Sequence, residues 1–354
     1  MKKIIVVVIL LFIPLKIIAV SADAYIVMDA KNNRVLDGRN ISKEHLIAST
    51  SKIMTAMIII ENCNLNEEVI VGDEILKSFG SSMYLSVGEK LTIMDLLYGL
   101  MLRSGNDAAI VLANHYSGSM ERFSKTMNQY AKKIGMSNTN FINSSGLENE
   151  TGIGNTSTSY DMALLMSYAI KNPIFMQIVG TKYYKFKSDI KTYNLKNKNK
   201  LLFTDKRVIG GKTGYTKKAR RTLVTTAKVG DKQIIIVTLD DGNDFNDHLS
   251  LYNRFFGNYQ IVNVCDGIKT IDDPLNLYDG YTFTYNEDCN ILLSKKEQDD
   301  LIIKPILFNA AKKGVGDLVG VINFELNDKL IYQRPIKLGL KKDIWYYLRM
   351  WFNG

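Results

Sequence analysis

The chain opens on an almost unbroken apolar run over 4–20, preceded by Lys2 and Lys3 and interrupted by Pro14 and Lys16. Beyond it, apolar positions fall into short periodic blocks. Residues 25–29 and 34–36 predict a strand pair turning through Lys31-Asn32-Asn33. An apolar helical stretch follows over 49–61. Two helical patterns fill 92–116 around a polar break at Ser104-Gly105-Asn106, and 123–135 predicts an amphipathic helix stopped by Gly135. The Asn-, Ser-, Thr- and Gly-rich span 143–159 predicts a long loop before a helix over 160–170. Around Lys212 the pattern returns to strands. Residues 222–229 and 233–240 predict a hairpin through Gly230-Asp231, and 249–256 predicts the last helix of this unit.

Strands from both ends thus bracket a helical middle. That pattern predicts a mixed α/β sandwich, an antiparallel sheet covered by helices, over 23–257. Residues 258–342 lose helical periodicity and predict a small all-β domain, with strands over 281–285, 301–307, 319–326 and 329–336 and a tight turn at Asn327-Asp328. The last twelve residues, 343–354, place Ile344, Trp345, Leu348, Trp351 and Phe352 on one helical face beside Lys341, Lys342 and Arg349. This suits a helix lying on an anionic membrane surface, against the alternative of a helix docked on its own domain. Twelve residues are too few to span a bilayer.

Composition narrows the class. With 354 residues, 46% hydrophobic and 23% charged, the chain can bury a sizeable core and is not disordered. The net charge of +9 favours anionic surroundings, but the basic residues are dispersed rather than gathered into a stripe, so no nucleic-acid partner is expected. The opening run reads as a signal peptide, 1–22, cut near Ala22 after the small residues of Val20-Ser21-Ala22. A retained anchor is the alternative, for which the run is short and carries Lys16. Cys63, Cys265 and Cys289 show no ligand spacing. A Cys265–Cys289 bridge is open, although packed free thiols are the simpler expectation. His45, His115 and His248 are scattered, which argues against a zinc site and a Ser-His-Asp triad alike. Any serine nucleophile here needs a base other than histidine.

Three segments supply such chemistry: Ser49-Thr50-Ser51-Lys52, Ser104-Gly105-Asn106 and Lys212-Thr213-Gly214. Ser49 and Lys52 are i and i+3 at a helix start and share a face. A lysine walled by Ile53 and Met54 is desolvated, which depresses its pKa and lets it act as general base. Ser104 can relay a proton to a leaving amine, and the Asn106 amide can hold a substrate peptide group. Lys212 and Thr213 suit a terminal carboxylate, Gly214 permits close approach, and the Tyr215 N–H can join that of Ser49 as an oxyanion hole. Singly, each segment has a plain structural alternative: a helix cap at Ser49, a helix-linking turn at Asn106-Asp107, a β-turn at Lys212. Their joint occurrence favours the chemistry.

With these motifs the chain resembles the serine D-Ala-D-Ala carboxypeptidases, the low-molecular-mass penicillin-binding proteins. The likeness extends to Ile26-Val27-Met28-Asp29-Ala30, Lys52-Ile53-Met54-Thr55, Gly105-Asn106-Asp107-Ala108-Ala109, Gly146-Leu147 and Gln333-Arg334-Pro335. The resemblance implies a serine β-lactamase/transpeptidase-like fold, a Ser49 acyl-enzyme that removes terminal D-Ala from peptidoglycan stem peptides, and covalent trapping by β-lactams. It implies no metal or cofactor, and an exported enzyme at the outer face of the cytoplasmic membrane. Lys198 matches a position commonly basic in the family and is expected to help bind carboxylate. Ile47 and Arg220 stand where the family often has proline and glycine. A class A β-lactamase shares the three motifs but needs a Glu-x-x-Leu-Asn segment, whereas this loop reads Gly146-Leu147-Glu148-Asn149-Glu150. A non-catalytic wall-binding protein is the other alternative, and the complete motif set argues against it.

Overall fold

The computed structural model describes residues 20–342 apart from 269–270, 274, 276, 287 and 309–312. The leader residues 1–19 and the tail helix expected over 343–354 lie outside the described residues. Among the described residues, no single helix is long and apolar enough to cross a membrane.

The first unit is built on a five-stranded antiparallel sheet. Its strands are β1 (Ala24–Asp29), β2 (Val35–Arg39), and, after the helical middle and a hairpin of β3 (Tyr183–Lys187) and β4 (Thr192–Lys196), β5 (Val208–Thr216), β6 (Arg220–Val229) and β7 (Lys232–Asp241). The order is β2-β1-β7-β6-β5, so the two ends of the unit meet where β1 pairs with β7, Ile26 opposite Val237. Period-2 alternation divides the sheet between two cores. Ile26, Met28, Ile235 and Val237 face the helical layer, while Val27, Ile234 and Ile236 face the other side.

The helical layer comprises α1 (Lys52–Asn62), α2 (Ile93–Tyr98), α3 (Asn106–Ser117), α4 (Met120–Ile134), α5 (Ser159–Ala169) and α6 (Pro173–Gly180). Local signals set their ends. Thr92 and Asp95 form a capping box for α2, Ser119 and Thr158 cap α4 and α5, and Gly135 closes α4 with a φ of 90°. On the opposite face α8 (Asp244–Asn258), which follows the short α7 (Leu201–Thr204), packs Leu251, Tyr252 and Phe255 against the sheet. It begins five residues before the predicted helix at 249, because Asp244 and Asp247 occupy its first turn, where carboxylates suit the helix dipole.

The C-terminal region holds β8 (Tyr259–Asn263) paired with β10 (Asn290–Ser294), which runs on into α9 (Lys295–Asp299), and a four-stranded sheet in the order β9-β13-β12-β11. Those four are β9 (Tyr281–Thr284), β11 (Ile302–Leu307), β12 (Leu318–Leu326) and β13 (Lys329–Lys341). Asn327 and Asp328 both take positive φ, 48° and 59°, as a type I′ hairpin demands. The expectation of free thiols is corrected: Cys265 and Cys289 form a disulfide. Their Cα atoms stand 5.4 Å apart because β8–β10 pairing brings both ends of that segment together. Arg34, at the start of β2's turn, donates to the Leu292 carbonyl and pairs with Glu297, tying the two units together.

Candidate active site

Ser49 does not open the helix. It sits in a 3-10 turn over Ala48–Ser51, and the α-helix begins at Lys52. Ala48 ahead of it takes φ 47°, a strained value for a non-glycine residue that turns the chain sharply at the nucleophile position. Lys52 is fully buried and its Nζ has three partners: Ser49 Oγ at 3.0 Å, Asn106 Oδ1 at 2.8 Å and the Ser145 carbonyl at 2.6 Å. The amide and carbonyl oxygens can only accept, so they take two N–H groups of Lys52 and leave its third position facing Ser49 Oγ, where the deprotonated amine would present its lone pair. Burial is the main force holding Lys52 well below the ordinary lysine range, reinforced by the charges of Lys212 and Lys198.

Ser104 follows a single π-helical turn, Gly99–Arg103, that continues α2, and has a left-handed φ of 62°. This break aims Ser104 into the cleft while Asn106 starts α3. Lys212, 1% exposed, donates to Ser104 Oγ at 3.0 Å and to the Thr213 carbonyl at 2.7 Å. Burial, then Lys198, pushes its pKa down to about 7. The Lys212-Thr213-Gly214 segment is not a β-turn; it lies inside β5, on the sheet's edge beside the Ser49 turn. A Cβ on Gly214 would stand 3.1 Å from Ser49 N and 2.3 Å from Thr222 Oγ1, so only glycine lets the strand approach that turn. Thr222 in turn donates to the Ile47 carbonyl.

Ser49, Ser104, Lys198, Thr213 and Tyr215 line one cleft, and Asn106 reaches the adjoining lobe. Every residue singled out from the sequence therefore meets here. Lys198 Nζ donates to Ser81 Oγ at 2.8 Å, its pKa lowered by burial and by Arg103. Arg103, Lys196 and Lys200 line a neighbouring cavity with Lys198, which leaves this rim strongly basic.

Other contributors were not singled out as site residues. Buried Asp107 accepts from Ser82 Oγ and from the amides of Met83 and Leu85, while Asn106 donates to the Phe79 carbonyl. Together they pin 79–85 over the cleft. On the other side, Asn143 Oδ1 accepts from the amides of Ser145 and Gly146, and Asn155 Oδ1 from those of Ile142 and Asn143. This holds the Ser145 carbonyl on Lys52. The available signal was the run of asparagines and serines ending in Gly146, which sequence reading treats as a loop. Glu148 accepts from the Thr216 hydroxyl. Among the described residues, no cluster of His, Cys, Asp and Glu could hold a metal.

A hydroxyl against a buried amine of depressed pKa, with a second hydroxyl–amine pair across the cleft, on a helix-covered antiparallel sheet, defines an active-site serine acyl-transferring enzyme without histidine. A model of the D-alanyl-D-alanine carboxypeptidase family, Peptidase_S11, matches residues 14–243, and the chain belongs to that family of serine peptidases. Among curated relatives, the D-alanyl-D-alanine carboxypeptidase DacC of Escherichia coli (strain K12) is 32% identical over 95% of this chain and 89% of its own length. DacF of Bacillus subtilis (strain 168) is 34% identical, over 62% of this chain and 57% of its own length. Penicillin binding protein 5 from Haemophilus influenzae shares the fold, with a TM-score of 0.77 over 91% of this chain and 98% of its own, at 24% identity.

Proposed function

We propose that this chain is an exported carboxypeptidase that removes the terminal D-Ala from peptidoglycan stem peptides through an ester on Ser49. The observation that carries the reading is the set of partners around Lys52 Nζ, two obligate acceptors and the Ser49 hydroxyl. Ser49 Oγ attacks the carbonyl carbon of the penultimate D-Ala while its proton passes to Lys52. The backbone N–H groups of Ser49 and Tyr215 stabilise the oxyanion that develops. The C–N bond then breaks, and the leaving amine takes a proton through Ser104. Water, deprotonated by Lys52, opens the ester and frees the shortened peptide and Ser49. Lys212, Thr213 and Lys198 hold the substrate's terminal carboxylate, and Asn106 its peptide group. β-Lactams place their ring carbonyl on Ser49 in the same way and leave a slow ester.

The basic rim around Lys198 supports an anionic substrate. The leader and the aromatic, basic tail of 343–354 support placement at the outer face of the cytoplasmic membrane, the tail lying on anionic lipid. Incubated with a pentapeptide ending in D-Ala-D-Ala, the purified protein should release D-Ala, and Ser49→Ala should not. Absence of both D-Ala release and Ser49 labelling by fluorescent penicillin would overturn the reading. Deleting 343–354 should move the protein from the membrane to the soluble fraction, and unchanged partitioning would remove the anchor.

A further inference from the structure

The segment Val20-Ser21-Ala22, assigned above to the leader, is part of the folded unit. Val20 is 9% exposed and packs in the core between sheet and α8, and Ala22 is fully buried. Arg39 donates to the carbonyls of both Val20 and Ala22. Ser21 reaches into a pair of carboxylates. Its amide donates to Asp247 Oδ2 at 2.6 Å, and its Oγ lies 2.6 Å from Asp241 Oδ1 and 2.8 Å from Asp247 Oδ2. A single hydroxyl proton cannot serve both acceptors.

This carboxylate pair lacks compensation. Asp241 and Asp247 are 2% and 4% exposed, and neither has an ion-pair partner among the described residues. Asp241 Oδ2 has no hydrogen-bond partner there either. The nearby cations are engaged or absent: Arg221 pairs with Asp244, and buried His248, bonded to Thr225 and Thr238, is held neutral. Two buried carboxylates without a cation are costly: burial and Asp241 raise the pKa of Asp247, the Asn243 amide serves only Asp241 Oδ1, and a positive group at this point would relieve both acids. Consecutive backbone nitrogens are no more than about 4 Å apart, so the nitrogen of Val20 lies within roughly 7 Å of Asp247 Oδ2.

We propose that export processing cuts this chain immediately before Val20, so that Val20-Ser21-Ala22 remain as an N-terminal plug whose new α-ammonium compensates the buried Asp241 and Asp247. Water hydrolyses the Ala19–Val20 peptide bond in the membrane-bound signal peptidase, leaving Ala19 with a carboxylate and Val20 with an amine. Ala19 supplies the small residue that such a site needs on the leader side of the cut, with aliphatic Ile17 two positions before it. A cut after Ala22 would instead discard two buried side chains and every bond made by Ser21. The inference rests on the export proposed above.

The full chain should be expressed in a secreting bacterium, purified from the envelope and its first residue read by intact-mass and N-terminal sequencing. Val20 is expected. A protein starting at Asp23 would overturn this proposal and leave export standing, while one still starting at Met1 would overturn both. For the ammonium, four residues of Gly-Ser should be inserted between the cut and Val20, in the wild type and in Asp247→Asn. Displacing the charge should lower Tm by roughly 3–5 °C in the wild type, and by less than half of that in Asp247→Asn. Equal drops in the two backgrounds would overturn the role given to the ammonium. Retained penicillin labelling of Ser49 establishes that each variant is folded.

Discussion

Lys212 Nζ stands 3.0 Å from Ser104 Oγ, and Lys52 Nζ the same 3.0 Å from Ser49 Oγ, so each hydroxyl of the cleft has its own buried amine. The two amines do not titrate alike. Burial holds Lys52 well below the ordinary lysine range, with the charges of Lys212 and Lys198 adding to it, while burial and Lys198 push Lys212 down to about 7. Below that pH one amine can accept a proton while the other holds an anion.

These two amines set a pH profile. The second-order rate of Ser49 acylation by penicillin should rise as Lys52 deprotonates on the acid side. It should fall again above about pH 7, as Lys212 discharges and releases the ligand carboxylate. Lys212→Arg stays charged and should carry the alkaline limb upward by more than one pH unit, where an unmoved limb would dissociate Lys212 from it. Stability has its own sign. The fold depresses Lys212 from about 10.4 to about 7, so between those values the unfolded chain binds more protons, and stability rises with pH across the window.

Lys52→Gln separates the base from the hydrogen-bond donor. A glutamine amide keeps two N–H groups for Asn106 Oδ1 and the Ser145 carbonyl but has no basic lone pair. Acylation should fall by about 10²–10⁴-fold with little change in melting temperature. Fluorescent-penicillin labelling beside a thermal melt reads both, and near-normal labelling would mean that another group removes the Ser49 proton.

Gly146→Ala should disable the site from outside it. The residue has φ 82°, and an added Cβ would lie 1.8 Å from the carbonyl oxygen of Ala48, the residue before Ser49. Backbone cannot yield cheaply there, so a loss of about 3 kcal/mol or more is expected, with acylation lost alongside. Denaturant unfolding measures the first and penicillin labelling the second.

Sequence reading reached the site further than its supports. Ser49 and Lys52 are three residues apart, and Lys212 to Tyr215 are contiguous, so motif spacing carries them without tertiary information. The Ser145 carbonyl is backbone and leaves no side-chain signature. Asp107 looks like a helix cap until its bonds to 82–85 are seen. In the fold, alternation revealed β6 and β7 because each strand feeds two cores. The hairpin of β3 and β4 was missed, since its alternating lysines and aromatics read as an ordinary polar surface. The extra turn of α8 is polar and escaped an apolar-period search, and the pairing of Cys265 with Cys289 depends on β8 meeting β10, two strands not anticipated.

Arg220→Gly should stabilise the protein. Arg220 is an exposed residue at φ 58° at the first position of β6, just after the turn from β5, a conformation that glycine takes without strain. Relief of about 1–2 kcal/mol is partly offset by the freer unfolded chain, for a net gain of about 0.5–1 kcal/mol. Thermal unfolding should shift upward by roughly 1–3 °C. A downward shift would mean that the Arg220 side chain makes a contact worth more than the strain.

Removing the disulfide should separate the two units energetically. Cys265 and Cys289 are 24 residues apart in sequence, and a loop of that length restrains the unfolded chain by about 3 kcal/mol. The bond lies in the C-terminal core with Ile291, Leu293 and Phe324, away from the cleft, whose lining residues all lie between Ser49 and Phe245. Cys265→Ser with Cys289→Ser should therefore loosen the β-rich unit while leaving Ser49 acylation within about twofold of normal. Limited proteolysis should then cut within 258–342 first and leave a penicillin-labelled fragment ending near Asn258. Loss of labelling in step with that cleavage would instead make the C-terminal unit a structural requirement of the site, transmitted through the Arg34–Glu297 pair.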